Sequence, residues 1–235
     1  MQAILLAGGL GTRLRSVVND RPKPMALAKG KPFMEYLIHE LAKQGITEII
    51  FAVGYKGSMV EDYFKDGASF GLQISYAYEE ELLGTAGAIK NAGRFVHDES
   101  FLVLNADTFY LFSYEKLWQL AAKEQTDMAL VLREVEDISR YGEAQLLGNR
   151  LVGFNEKTSE KRAGTINGGI YWMSRRLLDE IPDGKVSLEN EMIPRWMKEG
   201  KKIGGLVHDG YFIDIGIPED YFRFREDVEK GNIVW

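Results

Sequence analysis

The sequence predicts an α/β protein: a mixed, mostly parallel sheet flanked by helices, with a smaller β-rich region in the second half. Three observations carry that expectation. Short apolar runs alternate with helical patterns as far as residue 133, glycines close the first runs, and after Tyr141 the texture changes to short strand-like pieces.

In order, QAILLA (2–7) reads as a buried strand because it is short, apolar and closed by Gly8-Gly9. A loop leading into a helix should follow. FMEYLIHELAKQG (33–45) carries Phe33, Leu37 and Leu41 at helical spacing and stops at Gly45, and EIIFAVG (48–54) is the second strand. Helix 58–65, strand 74–78, helix 86–95, strand 101–105, helix 114–123 and strand 127–133 continue the rhythm of βα units. Such crossovers cover both faces of a sheet and place ligands outside the carboxyl ends of its strands. AQLL, RLVGF and TINGGIYWM then read as strands, 175–180 and 188–199 as helices, KIGGLV and YFIDI as strands, and PEDYFRFREDVEKG as a closing helix. One domain over 1–235 is expected, with a first half near 1–135 and a second near 136–235. Trp172, Trp196 and Trp235 are expected to pack rather than bind. The face with Tyr221, Phe222 and Phe224 leaves two readings, a contact within a homo-oligomer or closure of its own core.

Composition narrows the function. A chain of 235 residues with 45% hydrophobic and 27% charged positions can bury one substantial core, which excludes a disordered tail protein. Twenty-nine Lys and Arg against 35 Asp and Glu give a formal charge of −6, a poor match to an extended nucleic-acid groove. The absence of cysteine excludes disulfides, a thiolate nucleophile and cysteine-ligated metal centres. The three histidines, His39, His97 and His208, lack the spacing of a transition-metal site. The first apolar run is too short for a membrane span and lacks the pattern of a signal peptide, so no membrane partner and a cytoplasmic location are expected.

The first strand feeds AGGLGTRLRS, where Gly8, Gly9 and Gly11 allow tight turns and close backbone approach to a ligand. Exposed amides followed by a helix N-terminus make an anion site. The pattern is neither GxGxxG nor GxxxxGK[ST], which argues against a dinucleotide oxidoreductase and a P-loop. Residues 11–31 hold Arg13, Arg15, Arg21, Lys23, Lys29 and Lys31 against the single acid Asp20, a net of +5 inside a chain of −6. Such an island beside a glycine loop suits a polyphosphate. Lys23, between Pro22 and Pro24, is rigidly presented, and a lysine there could stabilise charge on an attacked phosphate.

Asp107 follows FLVLNA, just past an apolar strand end, and Asp214 lies in FIDIG, far away in sequence. If they converge, two carboxylates could hold Mg2+ with phosphate and water oxygens completing its shell. The plainer reading makes Asp107 a turn cap and Asp214 a local hydrogen-bond acceptor.

Taken together, AGGLGTRL, RPKP, ELLGTAGA, LNADT, Glu156-Lys157, TINGGIY and YFIDIGIPEDY resemble, in order and spacing, the sugar-phosphate nucleotidyltransferases over nearly the entire chain. Within that family the sequence is most similar to the D-glycero-α-D-manno-heptose 1-phosphate guanylyltransferases. The resemblance implies a Rossmann-like fold whose β-rich second half binds the sugar. It puts Leu6, Ala7, Gly8, Gly9, Gly11, Thr12, Asn105 and Ala106 around the nucleotide and makes Arg13 and Lys23 the catalytic charges. Gly84 and Thr85 fall on the base-contacting loop, with Glu79 to Leu83 leading into it and Glu80 among the nucleotide contacts, and Asp107 and Asp214 become the magnesium ligands. Tyr141, Gly142, Glu156, Lys157, Asn167 and Gly168 are expected at the sugar phosphate.

The reaction implied joins GTP and a sugar 1-phosphate, giving a GDP-sugar and pyrophosphate. Mannose 1-phosphate guanylyl transfer, glucose 1-phosphate thymidylyl or uridylyl transfer, and a sugar-nucleotide-binding regulator are the alternatives. Two positions depart from the family pattern: Ala106 stands where Gly is common before the metal-binding Asp, and EKTS replaces EKP.

Overall fold

The computed structural model describes residues 1–9, 11–139, 141–155 and 160–233. Strand β1 (Gln2–Leu6) is followed by the glycine loop and two short 3₁₀ turns (Thr12–Leu14, Lys23–Met25), then by a small ribbon of β2 (Leu27–Ala28) and β3 (Lys31–Pro32). Next come α1 (Phe33–Lys43), β4 (Glu48–Val53), α2 (Gly57–Phe64), β5 (Gln73–Tyr78), α3 (Gly84–Gly93), β6 (Ser100–Asn105), β7 (Thr108–Tyr110) and α4 (Glu115–Glu124). The second half holds β8 (Met128–Val135), β9 (Glu143–Leu147), β10 (Arg150–Asn155), β11 (Gly164–Ser174), α5 (Ile193–Lys198), β12 (Ile203–Val207), β13 (Phe212–Asp214) and α6 (Pro218–Glu229).

Among the described residues one nine-stranded sheet runs β5-β4-β1-β6-β11-β8-β12-β10-β9. Both faces of β1 are covered, which is why its apolar run is continuous: Ile4 faces a core built with α3, while Ala3 and Leu5 face the opposite core with α1 and α4. The α/β, Rossmann-like architecture with flanking helices is therefore present.

The mostly parallel expectation is corrected. Strands β5, β4, β1 and β6 are parallel neighbours, as are β8 and β12, but β11 runs antiparallel between β6 and β8, and β9 and β10 pair antiparallel with each other and with their neighbours. The cause is local. Among the described residues no helix intervenes between β8 and β11, so the chain returns through turns such as Gly148-Asn149, and turn-linked strands pair antiparallel.

Three helix expectations also change. The glycine loop opens onto a single 3₁₀ turn rather than a helix, and 175–180 is likewise 3₁₀. Residues Leu188–Met192 form a π turn before α5.

The closing helix α6 lays Phe224 on α1, with the Phe33 and Phe224 rings 4.6 Å apart, and Tyr221 OH donates to Leu27 O of β2. These aromatics close their own core, while Phe222 remains exposed. Trp196 is fully buried and Trp172 packs against the sheet core; Trp235 lies outside the described residues. Among the described residues no helix is long and apolar enough to cross a membrane.

Candidate active site at the β1–β6 crevice

The chain leaves β1 toward β4 and β5, then returns to β6 on the other side of β1. That reversal opens a crevice at the carboxyl ends of β1 and β6, the usual ligand address in such sheets. The loop after β1 carries Gly8, Gly9 and Gly11, and the loop after β6 carries Asn105, Ala106 and Asp107. The backbone of Ala106 donates to Leu6 O at 3.2 Å, tying the two loops together.

Glycine lets the loop pass close to other groups. Gly11 has φ +57°, and a Cβ there would stand 2.9 Å from Lys23 Cβ; a Cβ on Gly8 would stand 2.1 Å from Glu79 Oε1. Gly11 thus admits the Pro22-Lys23-Pro24 turn to the crevice, and Gly8 admits Glu79.

The two aspartates converge through a ribbon. β7 and β13 pair antiparallel with Asp214 opposite Thr108, and Ile215 N donates to Asp107 O at 3.0 Å. Lys23 Nζ lies 2.6 Å from Asp107 Oδ2 and 3.5 Å from Asp214 Oδ1, with the lysine 9% exposed. Burial, and then the charge of Asp107, push the Asp214 carboxyl above its ordinary value, while Lys23, the Gly216 N–H and Arg13 pull it down. A partly exposed carboxylate pair with a shared cation between them is a donor set suited to a hard divalent ion.

Three clefts meet here. One of about 230 Å³ is lined by Leu6, Ala7, Gly9, Gly11, Thr12, Arg13 and Lys23. A second, of about 280 Å³, has Gly8, Gly9, Glu79, Leu82, Gly84, Thr85 and Asn105 on its walls. The largest, of about 480 Å³, extends over the second half past Tyr141, Gly142, Phe154, Asn155, Asn167, Glu189 and Asp214. Asp107 lines all three, so it marks their junction.

Most sequence-predicted residues are brought together, with exceptions. Glu80 is exposed and is not on these walls; Glu79 is. Ala106 is fully buried in the core, so its methyl group turns away from the crevice. Gly168 serves packing, since a Cβ there would lie 2.7 Å from Tyr110 Cε1 and 2.9 Å from Val131 O. Glu156, Lys157 and the rest of EKTS lie outside the described residues. The cationic island disperses: Arg21 pairs with Asp20, Lys31 with Glu35, and Arg15 lies over the Tyr55 ring, leaving Arg13 and Lys23 at the clefts.

Sequence reasoning missed Glu189 and Tyr171. Glu189 accepts from Thr85 Oγ1 at 2.7 Å and from Tyr171 OH at 2.8 Å, and Asn167 Nδ2 donates to Tyr171 OH at 2.5 Å. This chain links the start of α3 to the largest cleft. The β11–β8 register shifts between Asn167 and Tyr171, a bulge that aims Asn167 into that cleft.

A family model for nucleotidyl transferases matches residues 2–231. The D-glycero-α-D-manno-heptose 1-phosphate guanylyltransferase of Aneurinibacillus thermoaerophilus is 39% identical over 230 residues, 97% of this chain and 99% of that protein. The protein of the same description from Campylobacter jejuni is 43% identical over 226 residues, 95% of this chain and 98% of that one. The crystal structure of HddC from Yersinia pseudotuberculosis superposes with a TM-score of 0.86 at 35% identity, covering 97% of this chain and 99% of that chain. A structure of HddC complexed with GMP-PN gives 0.85. Matched along nearly its whole length by the family model and by relatives of its own size, the chain belongs to the nucleotidyl transferase family.

Proposed function

We propose that the protein transfers a guanylyl group from GTP to D-glycero-α-D-manno-heptose 1-phosphate, giving GDP-heptose and pyrophosphate. The observation that carries the reaction class is the Lys23–Asp107–Asp214 cluster at the junction of three clefts, which leaves room for a base, a phosphate chain and a second anionic substrate. The two guanylyltransferases matched end to end carry the choice of substrates.

In this reading the first half, near 1–135, holds the nucleotide and the second, near 136–235, holds the sugar phosphate. The amides of the glycine loop and Arg13 grip the phosphates, and Gly84 and Thr85 flank the base. Tyr141, Gly142 and Asn167 face the sugar phosphate, and the family pattern adds Glu156 and Lys157. A sugar-phosphate oxygen attacks the α-phosphorus, forming the new P–O bond as the bond to the β-phosphate oxygen breaks, and pyrophosphate leaves with that electron pair. The nucleophile is already anionic, so no general base is required. Lys23 and Arg13 neutralise charge that gathers at phosphorus, and holding two anions in line supplies a further share of the rate. Asp107 and Asp214 would hold Mg2+, which when bound supplies additional neutralisation of phosphate charge.

Magnesium-dependent pyrophosphate release across GTP, UTP, dTTP, CTP and ATP, each with heptose, mannose and glucose 1-phosphates, tests the reading. Turnover concentrated on GTP with the heptose phosphate is expected. Preference for mannose 1-phosphate, or for another nucleotide, would keep the mechanism and replace the substrate.

A further inference from the structure

The turn that follows β4 touches the glycine loop from outside. A Cβ on Gly54 would stand 3.0 Å from Gly8 O, so turn and loop are in direct contact. The next two residues of the turn reach the segment that joins the glycine loop to Lys23. Arg15 lies over the Tyr55 ring at 5.2 Å, and Lys56 Nζ donates to Asp20 O at 2.8 Å and to Asn19 O at 3.4 Å. That segment has little else to hold it in place: of residues 15–20 only Val18 is buried, and the Asp20 carboxylate is taken by Arg21.

Lys56 also stands in an unusual backbone conformation. Its φ is +55°, in the left-handed region that is costly for a residue with a side chain. Lys65 and Gln125, which share a positive φ, end helices, and Lys29 turns the β2–β3 ribbon. Lys56 instead precedes α2 and its side chain makes no cap there; the side chain goes to the two carbonyls of the neighbouring segment. We propose that Lys56 is a positioning residue for Lys23. The connection is short and stiff. Asp20 stands three positions before Lys23, Pro22 and Pro24 fix their own φ, and each restricts the residue before it, Arg21 and Lys23. A shift at Asp20 is therefore passed on to Lys23 rather than absorbed. At the far end Lys23 Nζ meets Asp107 and Asp214, where a displacement of about 1 Å is enough to take its charge away from the reacting phosphate.

The inference rests on the transfer reading above, because Lys56 acts through Lys23, and a double-mutant cycle keeps the two apart. With the preferred nucleotide and sugar phosphate, Lys56→Met should lower kcat about tenfold and leave KM for both substrates within about twofold, since the misplaced charge works mainly in the transition state. In a Lys23→Ala background the same substitution should change kcat by less than about twofold, because no ammonium remains for it to position. Lys56→Gly fits the left-handed backbone without strain and also lacks the ammonium, so it should repeat both results.

A residue that merely stabilises the loop would lower kcat by the same factor in both backgrounds. Equal losses in the two backgrounds, a loss in Lys56→Met that Lys56→Gly does not share, or no loss in either variant while Lys23→Ala is impaired, overturns the inference alone. A wild type without nucleotidyl transfer, or a folded Lys23→Ala protein with unchanged turnover, overturns the reading above and the role of Lys56 with it.

Discussion

The glycine-loop side of the crevice and the side reached by Asn167 share Asp107 but are assembled differently. The first uses backbone: parallel strands end together, and glycines let main chain and Lys23 approach closely. The second uses side chains from distant segments, with Thr85, Tyr171, Asn167 and Glu189 held in one hydrogen-bonded chain around a bulge and a π turn. The difference teaches that the glycine-loop side draws its precision from strand geometry and the other from a network. Damage should therefore be severe and local on one side, and graded and shared on the other.

Lys23→Ala tests the glycine-loop side most sharply. Turnover should fall about a thousandfold, the upper range for removing one preorganised charge at a transition state, with the fold intact by circular dichroism. Unchanged turnover in folded protein would remove Lys23 from the reaction. Asp107→Asn should cost about a hundredfold and raise the magnesium concentration needed for half-maximal rate; normal magnesium dependence would end its assignment as a ligand.

Gly84→Ala probes the seam between the two sides. Gly84 has φ +69° and its Cβ would stand 2.5 Å from Val186 O, so a loss of about 2 kcal/mol and a fall in Tm of roughly 4–8 °C are expected by calorimetry. Glu189→Gln is the mildest. It keeps the shape and removes the charge to which Thr85 and Tyr171 donate, and should raise KM for the sugar phosphate about tenfold with a smaller change in KM for GTP. Equal changes in both constants would dissolve the contrast between the sides.

Legibility in the sequence follows the same division. The loop after β1 and the Asp107 address are local patterns, an apolar run ending in glycine or acid, and the structure places them at the crevice. Asp214 is legible only as an acid in an apolar strand, and its convergence with Asp107 is implied by the family resemblance rather than by any local pattern. Glu79 and Glu80 were not separable, since adjacent residues at a strand end point to opposite sides and only the ladder from Val53 O to Glu79 N sets which is which. The bond from Thr85 to Glu189 spans 104 positions, and no local pattern announces it. The sheet is less parallel than the sequence suggests because, among the described residues, no crossover helix separates the strands of 136–174, and that signal is the lack of a helical pattern rather than a pattern.

The segment 184–188 grips the start of α3 through backbone as well as side chain. Val186 O accepts from Ala86 N and Gly87 N, Val186 N donates to Leu83 O, and Leu188 N donates to Thr85 Oγ1. For protein engineering this makes the two halves poor interchangeable modules. A chimera that joins this first half to a related second half must carry a compatible clasp at 184–188, and must keep glycine at 84 and 87, before any exchange of specificity can register. Recombination points are better placed to preserve that pairing than at the middle of the chain.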